Sequence, residues 1–161
     1  MADATRVLGH GFFYEDLPIG YRFRTMGRTI TETDLVAYIN LTWFTEELFV
    51  NTEETGGRAL AGRVVPGGMV YAFAEGLLTP SMQFTGLAFL GAEIDVKAPT
   101  LVGDTIHVEA EVVEARLTSN EQRGLVRTRN HVVNERGATT LVYNPLRLVK
   151  RAAAHVGPRI A

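Results

Sequence analysis

From Leu87 onward the sequence alternates with period two through four consecutive segments: LAFLGAEIDVKAP, DTIHVEAEVVEARL, GLVRTRNHVVNERG and ATTLVYNPLRLVK. Successive strand side chains point to opposite faces, so this period predicts four strands, each with one apolar face. In the second, Ile106, Val108, Ala110 and Val112 share a face, and His107, Glu109 and Glu111 share the other. In the third, Arg127, Arg129 and His131 fall together. A face of acids next to a face of arginines predicts antiparallel neighbours with cross-strand ion pairs. The turn chemistry agrees, with NERG (Asn134 to Gly137) closing the last two strands and SNEQRG joining the second to the third.

The segment before these strands has a different rhythm. YRFRTMGRTI (Tyr21 to Ile30) alternates around a glycine, as a strand with a bend does. TETDLVAYINL follows with Thr31 three residues before Asp34, a capping-box helix start that turns Leu35, Val36 and Ile39 inward. Gly56 and Gly57 punctuate a loop, and PGGMVYAFAEGLL then sets Pro66 and two glycines ahead of an apolar run suited to a buried helix. A buried helix followed by a meander of one-sided strands predicts an α+β architecture, an antiparallel curled sheet wrapped around a central helix, which is the hot-dog arrangement. The 161 residues, 46% of them apolar, suffice for one domain over 1–161, with its core at about 12–150 and a flexible tail at about 151–161.

Composition narrows the chemistry. With no cysteine there is no disulfide, thiolate metal site or cysteine nucleophile. A net charge of -2 without a basic run gives no electrostatic reason to expect nucleic acid or an anionic membrane as partner. No long apolar stretch lies behind MADATRVLGHGFF or elsewhere, so a cytoplasmic protein is expected. His107 and His131 fall on polar strand faces and His10 and His155 near the ends; none has metal-ligand spacing with a carboxylate, and neither metal nor cofactor is expected.

FFYEDLPIGYRFRTMGRTITETDLVAYINLT, GRVVPGGMV and KAPTLVGDTIHVEAEV together resemble the MaoC-like dehydratases, the family that includes R-specific enoyl-CoA hydratases. The resemblance spans roughly residues 12 to 150 and implies a hot-dog fold acting on an acyl thioester such as an acyl-CoA. It also implies at least a homodimer, or a higher oligomer of dimers, in which pairing extends the sheet. In the family an aspartate and a histidine, spaced D-x4-H, activate water for addition to an enoyl thioester. Those positions fall here on Phe44 and Phe49. Phenylalanine moves no proton, and acid and base groups are each worth about 10² to 10⁴ in rate, so the family's own mechanism does not transfer.

Other residues could act. Glu46 and Glu47 lie between the two phenylalanines; in a dry aromatic pocket a carboxyl becomes a useful acid or base, whereas on an exposed loop it is a solvated charge. Asn51 could hold a water or cap a turn. Gly67 and Gly68 open the long helix, where free N–H groups could hold a thioester oxygen, and the resemblance places the family's glycine on Gly68. Trp43, Phe44 and Phe49 could line an acyl tunnel or fill core, and Lys97 and Arg63 could meet a nucleotide end. PGGMVYAFAE also resembles the helix of small hot-dog acyl-CoA thioesterases, with Glu75 at the spacing of their acidic residue and Pro66 in place of a histidine. Three functions stay open: a hydratase or dehydratase with rewritten catalytic residues, an inactive acyl-binding subunit beside an active partner, and a thioesterase using Glu75.

Overall fold

In the computed structural model, described over residues 8–53 and 62–152, an antiparallel sheet curls around one long helix. Gly56, Gly57, His155 and most of the tail at 151–161 lie outside the described residues. A short 3-10 turn at Tyr14–Asp16 leads into β1 (Arg22–Arg24) and β2 (Arg28–Thr29), the bent strand expected around Gly27. Both pair with β5 (Thr105–Leu117).

Helix α1 (Glu32–Thr42) starts at the expected capping box: Thr31 Oγ1 accepts from the Asp34 N–H at 3.2 Å, and Asp34 Oδ2 accepts from the Thr31 N–H at 2.9 Å. Leu35 and Ile39 are buried as the pattern requires, but Val36 is exposed. Val36 falls at the rim of the stripe that Leu35 and Ile39 set, and only the centre of that stripe is covered in this helix. A left-handed Trp43 (φ 58°) ends α1, and the single turn α2 (Glu47–Val50) follows.

Helix α3 (Gly67–Met82) is the central helix, burying Met69, Val70, Ala74 and Leu78 at the i, i+1, i+5, i+9 positions of one stripe. Pro66 takes the N-cap, where a missing N–H costs nothing.

Two of the four expected strands are broken, and at matching places. The first divides into β3 (Gly86–Gly91) and β4 (Ile94–Val96), and the last into β7 (Thr139–Tyr143) and β8 (Leu146–Lys150). Pro145 has no N–H for the ladder and Gly91 sits at φ 153°, so a bend in one strand is answered by a bend in its neighbour. The order also corrects the meander. β5 pairs β6 (Arg123–Val133), and β6 pairs β7 and β8, but β3–β4 pairs the last strand rather than β5. The sheet therefore runs β1/β2, β5, β6, β7/β8, β4/β3 and remains open, with β3–β4 at one edge.

The charged cross-strand ladder is present: Glu111 stands opposite both Arg129 and Arg22, and Glu109 opposite His131 and Arg24. At the expected NERG turn, Asn134 Oδ1 accepts from the Arg136 and Ala138 N–H groups. Asp104 of the GD element is buried, accepting from the Leu101 N–H at 3.0 Å and from Arg136 at 3.0 Å. That element is thus a strand-entry clamp.

Candidate active site

The start of α3 is built to be approached. Gly67 and Gly68 are its first two residues, so their N–H groups have no acceptor within the helix, and among the described residues no side chain caps them. Met69 and Val70 instead donate to the Pro66 carbonyl at 2.9 and 3.2 Å. Gly68 is exposed, and a Cβ there would stand 2.9 Å from the Tyr38 hydroxyl; one on Gly67 would stand 3.1 Å from Val96. Two free N–H groups at the positive end of a 16-residue helix, beside a phenol, can hold a carbonyl oxygen that gains negative charge. Tyr38 escaped the sequence reading. Its position one residue before the buried Ile39 was the available signal, because α1 packs that edge toward α3.

Above this point hang α1 and α2, tied down by Arg63. Its guanidinium donates to the Phe49 carbonyl at 2.7 Å and pairs with Glu32 at the start of α1. Arg63 is therefore committed to holding the overhang, and Lys97 is paired with Asp95. The Phe44 and Phe49 rings are 5.4 Å apart, centroid to centroid; Phe49 is buried and Phe44 half-exposed. The two positions that the resemblance gives to the acid-base dyad thus form an apolar plug. Trp43 is 86% exposed rather than packed into the core.

Glu46 and Glu47 are both exposed rather than enclosed by the phenylalanines. Asn51 donates to Glu47 Oε2 at 2.7 Å and accepts from the Glu53 N–H at 3.0 Å, so it serves both the carboxylate and the turn.

Glu75, two turns down α3, is held by Arg147 of β8 through both carboxylate oxygens at 2.6 and 2.5 Å. The pair is largely buried, with side-chain exposures of 22% and 15%. Beside it the Tyr143 hydroxyl is pushed well above the ordinary phenol value, first by burial and then by the charge of Glu75. Burial and Glu75 also raise Tyr71, whose ring meets that of Tyr143 edge-on at 5.1 Å.

Two grooves of about 460 Å³ each lie on the outer face of the sheet, sharing Arg24 and Glu109. They belong to the charged ladder, and neither is lined by Gly67, Gly68 or Tyr38. His107 and His131 face them, His107 lying 3.2 Å from Glu109. Among the described residues no group of three or more histidine or acidic side chains is placed to hold a metal ion. No described helix is long and apolar enough to cross a membrane.

No family model matches the sequence, and neither does any curated protein. Solved structures do match. A monoamine oxidase regulatory protein from Archaeoglobus fulgius aligns at 26% identity and TM-score 0.79, over 88% of this chain and 96% of that one. A MaoC-like dehydratase from Rhodospirillum rubrum aligns at 23% identity and TM-score 0.75, over 88% and 98%. An unliganded R-hydratase from Pseudomonas aeruginosa aligns at 19% identity and TM-score 0.71, over 94% and 96%.

Proposed function

We propose that the protein binds an acyl thioester, such as an acyl-CoA, as a MaoC-like hydratase or dehydratase-type protein with a non-standard active site. The hot-dog fold expected from the sequence, a curled antiparallel sheet with a helix packed against it, is the fold of the matching structures. The observation that carries this reading is the open start of α3, where Gly67 and Gly68 present free N–H groups beside the Tyr38 hydroxyl under the α1–α2 overhang. A thioester carbonyl set there would be polarised, and its α,β-double bond would accept water, hydroxyl to the β-carbon and proton to the α-carbon. The side chains available in place of the missing dyad are Glu47, oriented by Asn51, and Glu46.

A second reading has its own support. Phe44 and Phe49 pack on each other, and both glutamates are exposed, which suits an acyl-binding subunit whose chemistry is done by an active partner. The thioesterase reading is less favoured, because the double contact with Arg147 stabilises the Glu75 carboxylate and occupies both oxygens a nucleophile or base would need.

The open edge supports a homodimer. β3–β4 presents unpaired backbone with exposed Leu87, Phe89, Leu90 and Ile94, and a second copy pairing there would satisfy both. A cytoplasmic location fits the absence of a described spanning helix.

Loss of enoyl absorbance on incubation with enoyl-CoA substrates, with Glu47→Gln in parallel, tests the catalytic reading. Hydration that the variant abolishes supports it. Binding without turnover moves the protein to the acyl-binding subunit.

A further inference from the structure

The outer face of the sheet carries charges that do not balance locally. Among the described residues every arginine is paired with a carboxylate except Arg24, Arg123 and Arg129. Arg24 and Arg129 line the same groove of about 460 Å³. Both are exposed, and neither side chain makes a hydrogen bond with a described residue. The groove is lined by none of the residues given to the thioester, so its ligand is independent of that reading.

The register of the strands explains why the two arginines stay unpaired. β5 runs between β1 and β6 and brings Glu109 and Glu111 to the groove. Arg24 and His131 flank Glu109, and Arg22 and Arg129 flank Glu111. Each acid is taken by a different neighbour, Glu111 by Arg22 at 3.0 Å and Glu109 by His107 at 3.2 Å. Arg24 and Arg129 are left at diagonal corners. Two strand spacings across and one two-residue step along separate their backbones, about 12 Å in all. His131, which also lines the groove, has no described side-chain partner either.

We infer that this groove binds a ligand with two linked phosphoryl groups, the diphosphate of a nucleotide, with one group on each arginine. A guanidinium grips a phosphoryl group through a planar fork of N–H donors, and such charge-assisted pairs are the stronger kind. A phosphoryl group offers three acceptor oxygens and more than one negative charge. It therefore competes better than a carboxylate over a floor that already holds Glu109 and Glu111. A lone phosphate engages one fork, whereas two linked groups reach both, and His131 adds a ring N–H. A second groove of about 460 Å³ adjoins the first through the shared Arg24 and Glu109, which leaves room for the nucleoside beyond the arginines. A free nucleotide and the nucleotide end of coenzyme A both carry this diphosphate.

Calorimetric titration of inorganic phosphate, pyrophosphate, ADP and coenzyme A, into the wild type, Arg24→Gln, Arg129→Gln and Arg116→Gln, tests this. Arg116 pairs with Glu114 outside the groove and serves as the control. Pyrophosphate and ADP are expected to bind at least about tenfold more tightly than phosphate, and less tightly as salt is raised, because exposed charges are screened. Arg24→Gln and Arg129→Gln should each weaken both ligands by about three- to tenfold, one exposed charge-assisted contact, and Arg116→Gln should not. Of ADP and coenzyme A, the one bound more tightly in a manner that depends on Arg24 identifies the source. Pyrophosphate bound no more tightly than phosphate, affinities unchanged by both groove variants, or no saturable binding of pyrophosphate and ADP overturns the inference.

Discussion

The Tyr38 hydroxyl stands 2.9 Å from the point where a side chain on Gly68 would begin. That contact couples α1 to the first turn of α3 and puts a phenol beside two free N–H groups. Gly68→Ala should push the hydroxyl aside and weaken acyl-CoA binding about tenfold. Tyr38→Phe should weaken it by about three- to tenfold, the value of one hydrogen bond. In a double-mutant cycle the stability loss of Gly68→Ala should shrink when Tyr38→Phe is also present, because the clashing atom is gone.

Arg63 holds the overhang from below by its bonds to the Phe49 carbonyl and Glu32. Charge-assisted hydrogen bonds contribute about 1.5 to 3 kcal/mol, so Arg63→Ala should lower the unfolding free energy by roughly that amount. Hydrogen exchange should locate the effect, with amides of α2 losing protection before those of α3.

Gly124 lies under the N-terminal 3-10 turn, where a Cβ would run into the Tyr14 ring. Gly124→Ala should cost about 1 to 3 kcal/mol by overpacking, read as a lower denaturation midpoint with an unchanged slope. The nearby segment, bonded by Gly11 and Phe12 N–H groups to Gln83 and Ser81 carbonyls, should loosen with it.

Asp34 gives a pH dependence with a definite sign. Its carboxyl is held below the ordinary aspartate value, first by the Thr31 N–H and further by the Thr31 side chain and Arg28. A depressed folded pKa means that its stabilisation is fully present above the unfolded value and is lost as pH falls through the folded one. Asp34→Asn should therefore lower the Tm near neutrality by removing the cap's charge, while the difference from wild type narrows steadily below about pH 4.

If the β3–β4 edge is a subunit contact, Leu90→Lys should convert a dimer to a monomer in sedimentation without altering the far-ultraviolet spectrum. A dimer that survives this change would place the contact elsewhere.

The elements whose signal is local were legible in the sequence. Thr31 and Asp34 announced α1, period two announced β5 and β6, and Asn134 to Gly137 announced a turn. The breaks at Gly91 and Pro145 were written there too, but alternation continues on both sides of each, so periodicity read straight through. The pairing of β3–β4 with the last strand was not legible, because strand order is a long-range property that no window contains. The site divides in the same way. That Gly67 and Gly68 open α3 was legible, since only a backbone argument was needed. The place of Tyr38 beside Gly68 was not, because it depends on how one helix crosses another. Arg147 was missed as the partner of Glu75 because the two are 72 residues apart in the chain.

Whether the start of α3 receives the thioester is tested most directly by titrating crotonyl-CoA into isotope-labelled protein and following backbone amide resonances. Saturable shifts of the Gly67 and Gly68 amides, reduced in affinity by Tyr38→Phe, are the expected result. Glycine amides unmoved at saturating crotonyl-CoA, or shifts confined to the outer groove around Arg24 and Arg129, would contradict a thioester site at this helix end.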